Sequence, residues 1–304
     1  MDYRQLRYFI AVAEELSFSR AARRLNMSQP PLSLQIAAME RELGTRLLER
    51  TRRRVELTQA GQVFLEQARA SLAQLERAAE MARRAGQGLA GELRIAFAGS
   101  VPMVSAFPRL LASFRRAAPL ARLHLMHMAT GLQLQALAER RIDLGILRPS
   151  RDYEPPPQLR LLPLWIDHLR AVLPEDHRLA ARRGPVPVAA LAGEPFILFP
   201  RELGCGLHEQ VLVLCSRAGF APEVVQEARE GATIIGLVAA GLGVSLLPDS
   251  YEKTSIPGVV HRRLDAPQAA GRLYLAHRTA DSSPLVKRFV ELARGRVRAI
   301  AATG

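Results

Sequence analysis

The order of apolar and polar residues changes character along the chain. Over the first 60 residues the apolar positions follow helical spacing. Leu6, Phe9, Ile10 and Ala13 fall at i, i+3, i+4 and i+7, which predicts one buried helix face. Ser17 precedes a second short helix over Phe18–Leu25, and Asn26-Met27-Ser28 reads as a turn. A third helix begins at Gln29, with Pro30 and Pro31 in its first turn, where a missing N–H costs least. Leu32, Ile36, Met39 and Leu43 form its stripe, and Gly44 ends it. A strand-like Val55-Glu56-Leu57 follows. Thr58 then reads as the N-cap of a long helix. Its apolar residues Leu65, Ala68, Leu72, Leu75, Ala79 and Ala82 alternate in steps of three and four, the a/d seam of a helix that pairs with another. Ala85-Gly86-Gln87-Gly88 breaks that helix like a linker.

From Gly91 onward strands and helices alternate. Strands are predicted at Leu93–Phe97, Leu123–Met128, Ile142–Ile146, Leu161–Leu164, Leu169–Leu173, Phe196–Phe199, Val224–Glu227, Val244–Leu247 and Leu273–His277. Helices are predicted at Val101–Ala117, Leu132–Arg140, Gly206–Ala218, Ala232–Ala240 and Pro284–Ile300. Two α/β lobes joined by crossovers near Pro163 and Pro267 would enclose a cleft, and ligands of such sheets bind where strand ends meet helix N-termini. The expected organisation is α/β with an N-terminal all-α winged helix-turn-helix. A mainly helical head spans 1–58, a long helix with a pairing seam 59–88, and a two-lobed α/β tail 89–304. Within the last, lobe I comprises 89–163 and 268–304, and lobe II 164–267.

Composition narrows the chemistry. The 42 basic and 29 acidic residues give a net charge of +13, consistent with a polyanionic partner. Only Lys253 and Lys287 are lysines, so the Arg skew makes the placement of charge more informative than its total. Two cysteines, Cys205 and Cys215, exclude a disulfide scaffold and a cysteine-rich zinc module and fit a reducing cytoplasm. MDYRQLRYF has no secretory pattern, and the apolar run Ala232–Leu247 is short and interrupted by three glycines, so a cytoplasmic protein without a membrane span is expected. Enzyme constellations are missing: there is no GxSxG, Walker loop or HExxH. His124 and His127, three apart on a strand, face opposite sides. No cofactor or metal is expected.

In the Ala21–Gly44 helix-turn-helix, the second helix would enter the major groove N-terminus first. Gln29 and Gln35 suit adenine, Ser33 suits a base or a phosphate, and Leu34 turns away from the core toward a thymine methyl. Arg50, Arg52, Arg53 and Arg54 suit a wing that grips phosphates or a minor groove.

The stretch LRYFIAVAEELSFSRAARRLNMSQPPLSLQIAAMERELGTRLLER, followed by LTQAG, resembles the N-terminal signature of LysR-type transcriptional regulators, and the layout of the remainder matches that family. The resemblance implies that 1–58 is a DNA-binding domain for an inverted-repeat operator, that 59–88 is a linker and dimerisation helix whose dimers assemble to tetramers, and that 89–304 is an effector domain, similar to periplasmic binding proteins, that senses a small molecule; it also implies contact with RNA polymerase. Many members carry Arg where this chain has Leu34. The segments Phe196–Arg201 and Gly236–Val244 are most similar to regulators of aromatic breakdown (benzoate, catechol, chlorocatechol). By position, Gly99, Ser100 and Thr130 then match pocket residues, and Phe199 and Pro200 the facing wall. Arg201 suits a charge-assisted bond to an acidic effector, or a plain surface position. Ser100 and Thr130 each open a predicted helix, where free N–H groups favour a carboxylate. Arg148 is a further candidate. Peroxide sensors of the family use two cysteines one residue closer together than Cys205 and Cys215, so redox sensing is an alternative. A solute-binding protein is another, opposed by the N-terminal module.

Overall fold

A computed structural model of the chain describes residues 1–51, 54–203, 206–254 and 256–301, the last six by backbone alone. It divides into two compact units, Met1–Arg84 and Ala85–Gly304.

The first unit contains α1 (Tyr3–Glu15), α2 (Phe18–Arg24), α3 (Gln29–Leu43), β1 (Leu48–Arg50), β2 (Val55–Leu57) and α4 (Gln59–Gly86). Helix α1 starts in a capping box between Asp2 and Gln5. The N–H of Gly61 donates to the Thr58 hydroxyl at 2.9 Å, as expected of an N-cap. Gly44 ends α3 in the left-handed region. Phe9, Val12, Ala21, Leu32, Ile36, Met39 and Leu47 form the core. On α1 the buried face is centred on Phe9, Val12 and Ala13, with Leu6 and Ile10 only half-buried. Leu43 is exposed, because α3 has outrun the core. The antiparallel pair β1–β2 makes the wing a hairpin, so Arg50 lies in a strand, not in a loop.

Helix α4 uses its seam in two ways. Ala68 is buried and Leu65 half-buried against the core of their own head. Beyond them Leu75 is 51% exposed, and Ala79 and Ala82 are exposed too. The first part of the spacing therefore serves intrachain packing, and an unpartnered apolar stripe begins near Leu72.

The second unit is a two-lobed α/β structure. Its elements are β3 (Ala90–Phe97), α5 (Ala106–Ala117), β4 (Leu120–His127), α6 (Thr130–Ala138), β5 (Leu144–Leu147), β6 (Leu159–Pro174), β7 (Pro195–Leu198), α7 (Gly206–Arg217), β8 (Glu223–Glu227), α8 (Gly231–Ala239), β9 (Ser245–Pro248), β10 (Val259–Arg263), β11 (Ala270–Arg278) and α9 (Pro284–Ala301). In lobe I the strand order is β4-β3-β5-β11-β6, with β3 parallel to both β4 and β5. In lobe II, β9 and β10 pair with the far end of β6, and β7 pairs in parallel with β8 and bridges to Val244, just before β9. Helices cover both faces: α5 and α9 one side of lobe I and α6 the other, α7 and α8 opposite sides of lobe II.

Two expectations are corrected. The two strands predicted around Pro163 are one, β6, whose residues through His168 pair with β11 while those from Leu169 pair with β9 and β10. The lobe crossing on this strand thus lies five residues after Pro163, which sits beside a register shift where its missing N–H is tolerated. The helix predicted from Val101 is a 3-10 turn at Val101–Met103 followed by α5 at Ala106, so Ser100 opens only that turn. Thr130 does open a helix as expected: it is the first residue of α6, with Ala129 at the cap position.

Candidate functional site

The head presents the N-terminal part of α3 to solvent. Gln29, Pro30, Pro31 and Gln35 are exposed, Ser33 is half-buried, and Leu34 is 70% exposed, on the far side of the helix from Leu32. Ser19 donates to the Gln29 side chain at 3.0 Å, and Gln5 to that of Gln35 at 3.2 Å, so α1 and α2 orient both amides. The Arg50 side chain is already engaged. It lies over the Phe18 ring at 4.8 Å and donates to Glu40 at 2.8 Å and to Ser33 at 3.4 Å. Arg54, in the wing turn, is far more exposed and pairs with Glu56. Arg52 and Arg53 lie outside the described residues.

Glu40 is a residue that pattern reading passed over. One carboxylate oxygen accepts the N–H groups of Leu47 and Leu48 at 2.9 and 3.0 Å; the other accepts from Arg50. This side chain fixes the wing to the recognition helix. A second lock is Gly61 in the LTQAG motif: a Cβ there would overlap the Leu47 carbonyl oxygen.

In the second unit, chain order against strand order locates a crevice. After β3 the chain goes to β4 on one side and then to β5 on the other; after β7 it goes to β8 and then to β9. Both are switch points, where adjacent connections leave in opposite directions and open a crevice at the strand C-termini. Gly99 and Ser100 follow β3, and Phe199, Pro200 and Arg201 follow β7. Across the lobes, α6 approaches the 3-10 turn Arg201–Leu203, and the turn Val101–Met103 approaches the turn Asp249–Lys253. Lys253 Nζ donates to the Met103 carbonyl at 3.3 Å.

The side chains around this crevice differ in availability. Ser100 and Thr130 are both buried. Ser100 makes no cap hydrogen bond. The Thr130 hydroxyl donates to the Arg148 carbonyl at 3.2 Å and accepts the Arg148 N–H at 3.3 Å, so it holds the end of β5 beside the crevice. Phe199 is half-buried, Pro200 buried and Arg201 exposed. Near Gly99 the crevice is walled by His127 and Tyr251: a Cβ on Gly99 would stand 3.2 Å from His127 Nε2 and 3.4 Å from the Tyr251 hydroxyl. Both escaped sequence reading, because strand alternation explains His127 and only the fold brings Tyr251 to lobe I.

Arg148 points elsewhere. Its guanidinium pairs with Asp167, both side chains being buried. Cys215 is fully buried in the lobe II core, and burial pushes its thiol up to about 11. Cys205 lies outside the described residues. Among the described residues no His, Cys, Asp or Glu cluster could hold a metal ion, and no helix is long and apolar enough to cross a membrane.

Comparison with known proteins agrees with this arrangement. Residues 3–62 match the bacterial regulatory helix-turn-helix model of the lysR family, and residues 86–298 match the LysR substrate binding domain. The chain is 46% identical to the Uncharacterized HTH-type transcriptional regulator YnfL of Escherichia coli (strain K12), over 84% of this chain and 85% of that protein. It is 39% identical to the HTH-type transcriptional regulator CatR of Pseudomonas putida, over 96% and 98%. The crystal structure of full-length CbnR complexed with its target DNA matches with a TM-score of 0.82 at 31% identity, covering 97% of this chain and 99% of that one. With head, recognition helix and two-lobed tail each matched in order along the chain, this protein belongs to the LysR family of transcriptional regulators.

Proposed function

We propose that this regulator binds an inverted-repeat operator through α3 and the wing, and that a small carboxylate of an aromatic catabolic pathway held between the lobes controls it. Gln29, Ser33, Leu34 and Gln35 read bases, Pro30 and Pro31 shape the helix start, and Arg52, Arg53 and Arg54 meet phosphates. Arg50 acts chiefly by positioning Ser33 and the wing. Exposure of Leu75, Ala79 and Ala82 supports pairing of α4 with a second copy, and such dimers assemble to a tetramer that contacts RNA polymerase in the cytoplasm.

The observation that carries the effector reading is the meeting of two topological switch points, one ending in Gly99-Ser100 and the other in Phe199-Pro200-Arg201. Ser100 offers a hydroxyl uncommitted to capping, Arg201 a positive charge, and Phe199 and Pro200 an apolar wall. Thr130 positions Arg148 and the start of α6. An effector shifts the regulator only through unequal affinity for two arrangements of the subunits. Calorimetry with cis,cis-muconate and benzoate tests this. Ser100→Ala is expected to weaken the better ligand about 10- to 100-fold, as for loss of one hydrogen bond to a charged group. Unchanged affinity in both Ser100→Ala and Thr130→Val would place the pocket elsewhere.

A further inference from the structure

A groove of about 820 Å³, whose lining does not include Ser100, lies between α7, the segment 148–152 and the beginning of β11. Its volume falls within the range of small-molecule sites. Four arginines line it; Arg148 pairs with Asp167, whereas Arg151, Arg217 and Arg272 make no ion pair among the described residues. Asp152 and Glu209 are the acidic residues on the same lining, so positive charge is in excess there. The groove also exposes apolar surface that the fold leaves uncovered: Ile166 is 58% and Val213 45% exposed.

Arg148, on its lining, belongs to a buried polar pair. Arg148 and Asp167 are 5% and 4% exposed and pair with one another, yet Arg148 Nη1 and Asp167 Oδ1 have no hydrogen-bond partner. Leaving such groups unsatisfied is costly. Gly271 makes the close packing possible, since any side chain there would collide with Arg148.

We infer that this groove is a second ligand site, separate from the crevice at Ser100, for a small organic anion with an apolar body. The anion pairs with Arg217 and Arg272, and the body covers Ile166 and Val213. A guanidinium pair suits a planar carboxylate, and the exposed apolar pair discriminates against inorganic anions.

The full-length protein is titrated by calorimetry with 1-naphthoate and, as its uncharged counterpart, 1-naphthamide. Two variants accompany the wild type: the surface double substitution Arg217→Gln/Arg272→Gln, and Ser100→Ala in the crevice. Whatever naphthoate binding the crevice loses in Ser100→Ala, a binding step is expected to persist in that variant, and that step is expected to be about 10- to 100-fold weaker in the double variant. Naphthamide is expected to bind the wild type at least about tenfold more weakly than naphthoate. Absence of naphthoate binding, equal binding to the double variant, or loss confined to Ser100→Ala overturns the assignment. Sedimentation of the double variant is the further check: a changed oligomer makes the groove a subunit interface and overturns it as well. Failure here leaves the crevice untouched, because Ser100→Ala reports on that site separately.

Discussion

Replacing Glu40 with Ala isolates the contact that joins wing to recognition helix. The substitution removes the acceptor of the Leu47 and Leu48 N–H groups and the partner of Arg50. The Glu40 side chain is 12% exposed, and the Leu47 and Leu48 residues are nearly fully buried, so water restores only part of what is lost. A hydrogen bond to a charged group contributes about 1.5–3 kcal/mol, and half-exposed Arg50 adds little. The wing should therefore open about 2–4 kcal/mol more easily, or roughly 30- to several-hundred-fold more often. Native-state hydrogen exchange, followed on peptides covering residues 45–50 of the full chain, measures this directly. Glu40→Gln keeps an acceptor for both N–H groups and should recover more than half of the protection. Unchanged exchange in Glu40→Ala, or equal exchange in the two variants, would refute the role assigned to this carboxylate.

Gly61→Ala forces a methyl group onto the Leu47 carbonyl and should destabilise the head by about 1–3 kcal/mol by calorimetry, whereas Gly86→Ala, with open space around it, should be near neutral. In a Cys205→Ser background, Cys215 should alkylate at pH 8 more than about 100-fold slower in the native than in the unfolded protein, because burial holds its thiol near 11; equal rates would show the core to be open. Burial alone would raise the carboxyl of Asp143, but hydrogen bonds from Arg94 and the charges of Arg94 and Arg278 lower it. A lowered carboxylate stabilises the fold above its unfolded value, about 3.9, and loses that contribution as pH falls through the native value. Denaturant midpoints of wild type and Asp143→Asn should differ at pH 7, and the gap should start to shrink only below about pH 4 and close as pH falls through the lower native value; a gap constant with pH would contradict this.

Features encoded locally were legible in the sequence. The caps at Ser17 and Thr58, the Pro-started third helix and the Gly44 stop each depend on a few adjacent residues, and all are present. Outward-facing Leu34 followed from helix geometry alone. Long-range pairing was not legible. The strand β1 is three residues long and exists only through its partner β2, and β10 carries no alternation that marks it as a strand. Pro163 looked like a break because a proline interrupts most strands, but here the register shift absorbs it. Periodicity on α4 could not say whose surface buries each apolar residue, so Leu65 and Ala68 read the same as Leu75. Glu40, Tyr251 and the Arg148–Asp167 pair owe their roles to residues distant in sequence.

The central claim is that a specific DNA head answers to a ligand held in a separate two-lobed unit. Fluorescence anisotropy of the full-length protein on DNA flanking its own gene, measured with and without cis,cis-muconate or benzoate at several salt concentrations, tests both halves together. The account expects binding tighter than to shuffled DNA, a steep loss of affinity with salt, and a ligand-dependent shift that Ser100→Ala abolishes while leaving ligand-free binding intact. Equal affinity for shuffled DNA at matched salt, or a ligand response unchanged in Ser100→Ala, would contradict it.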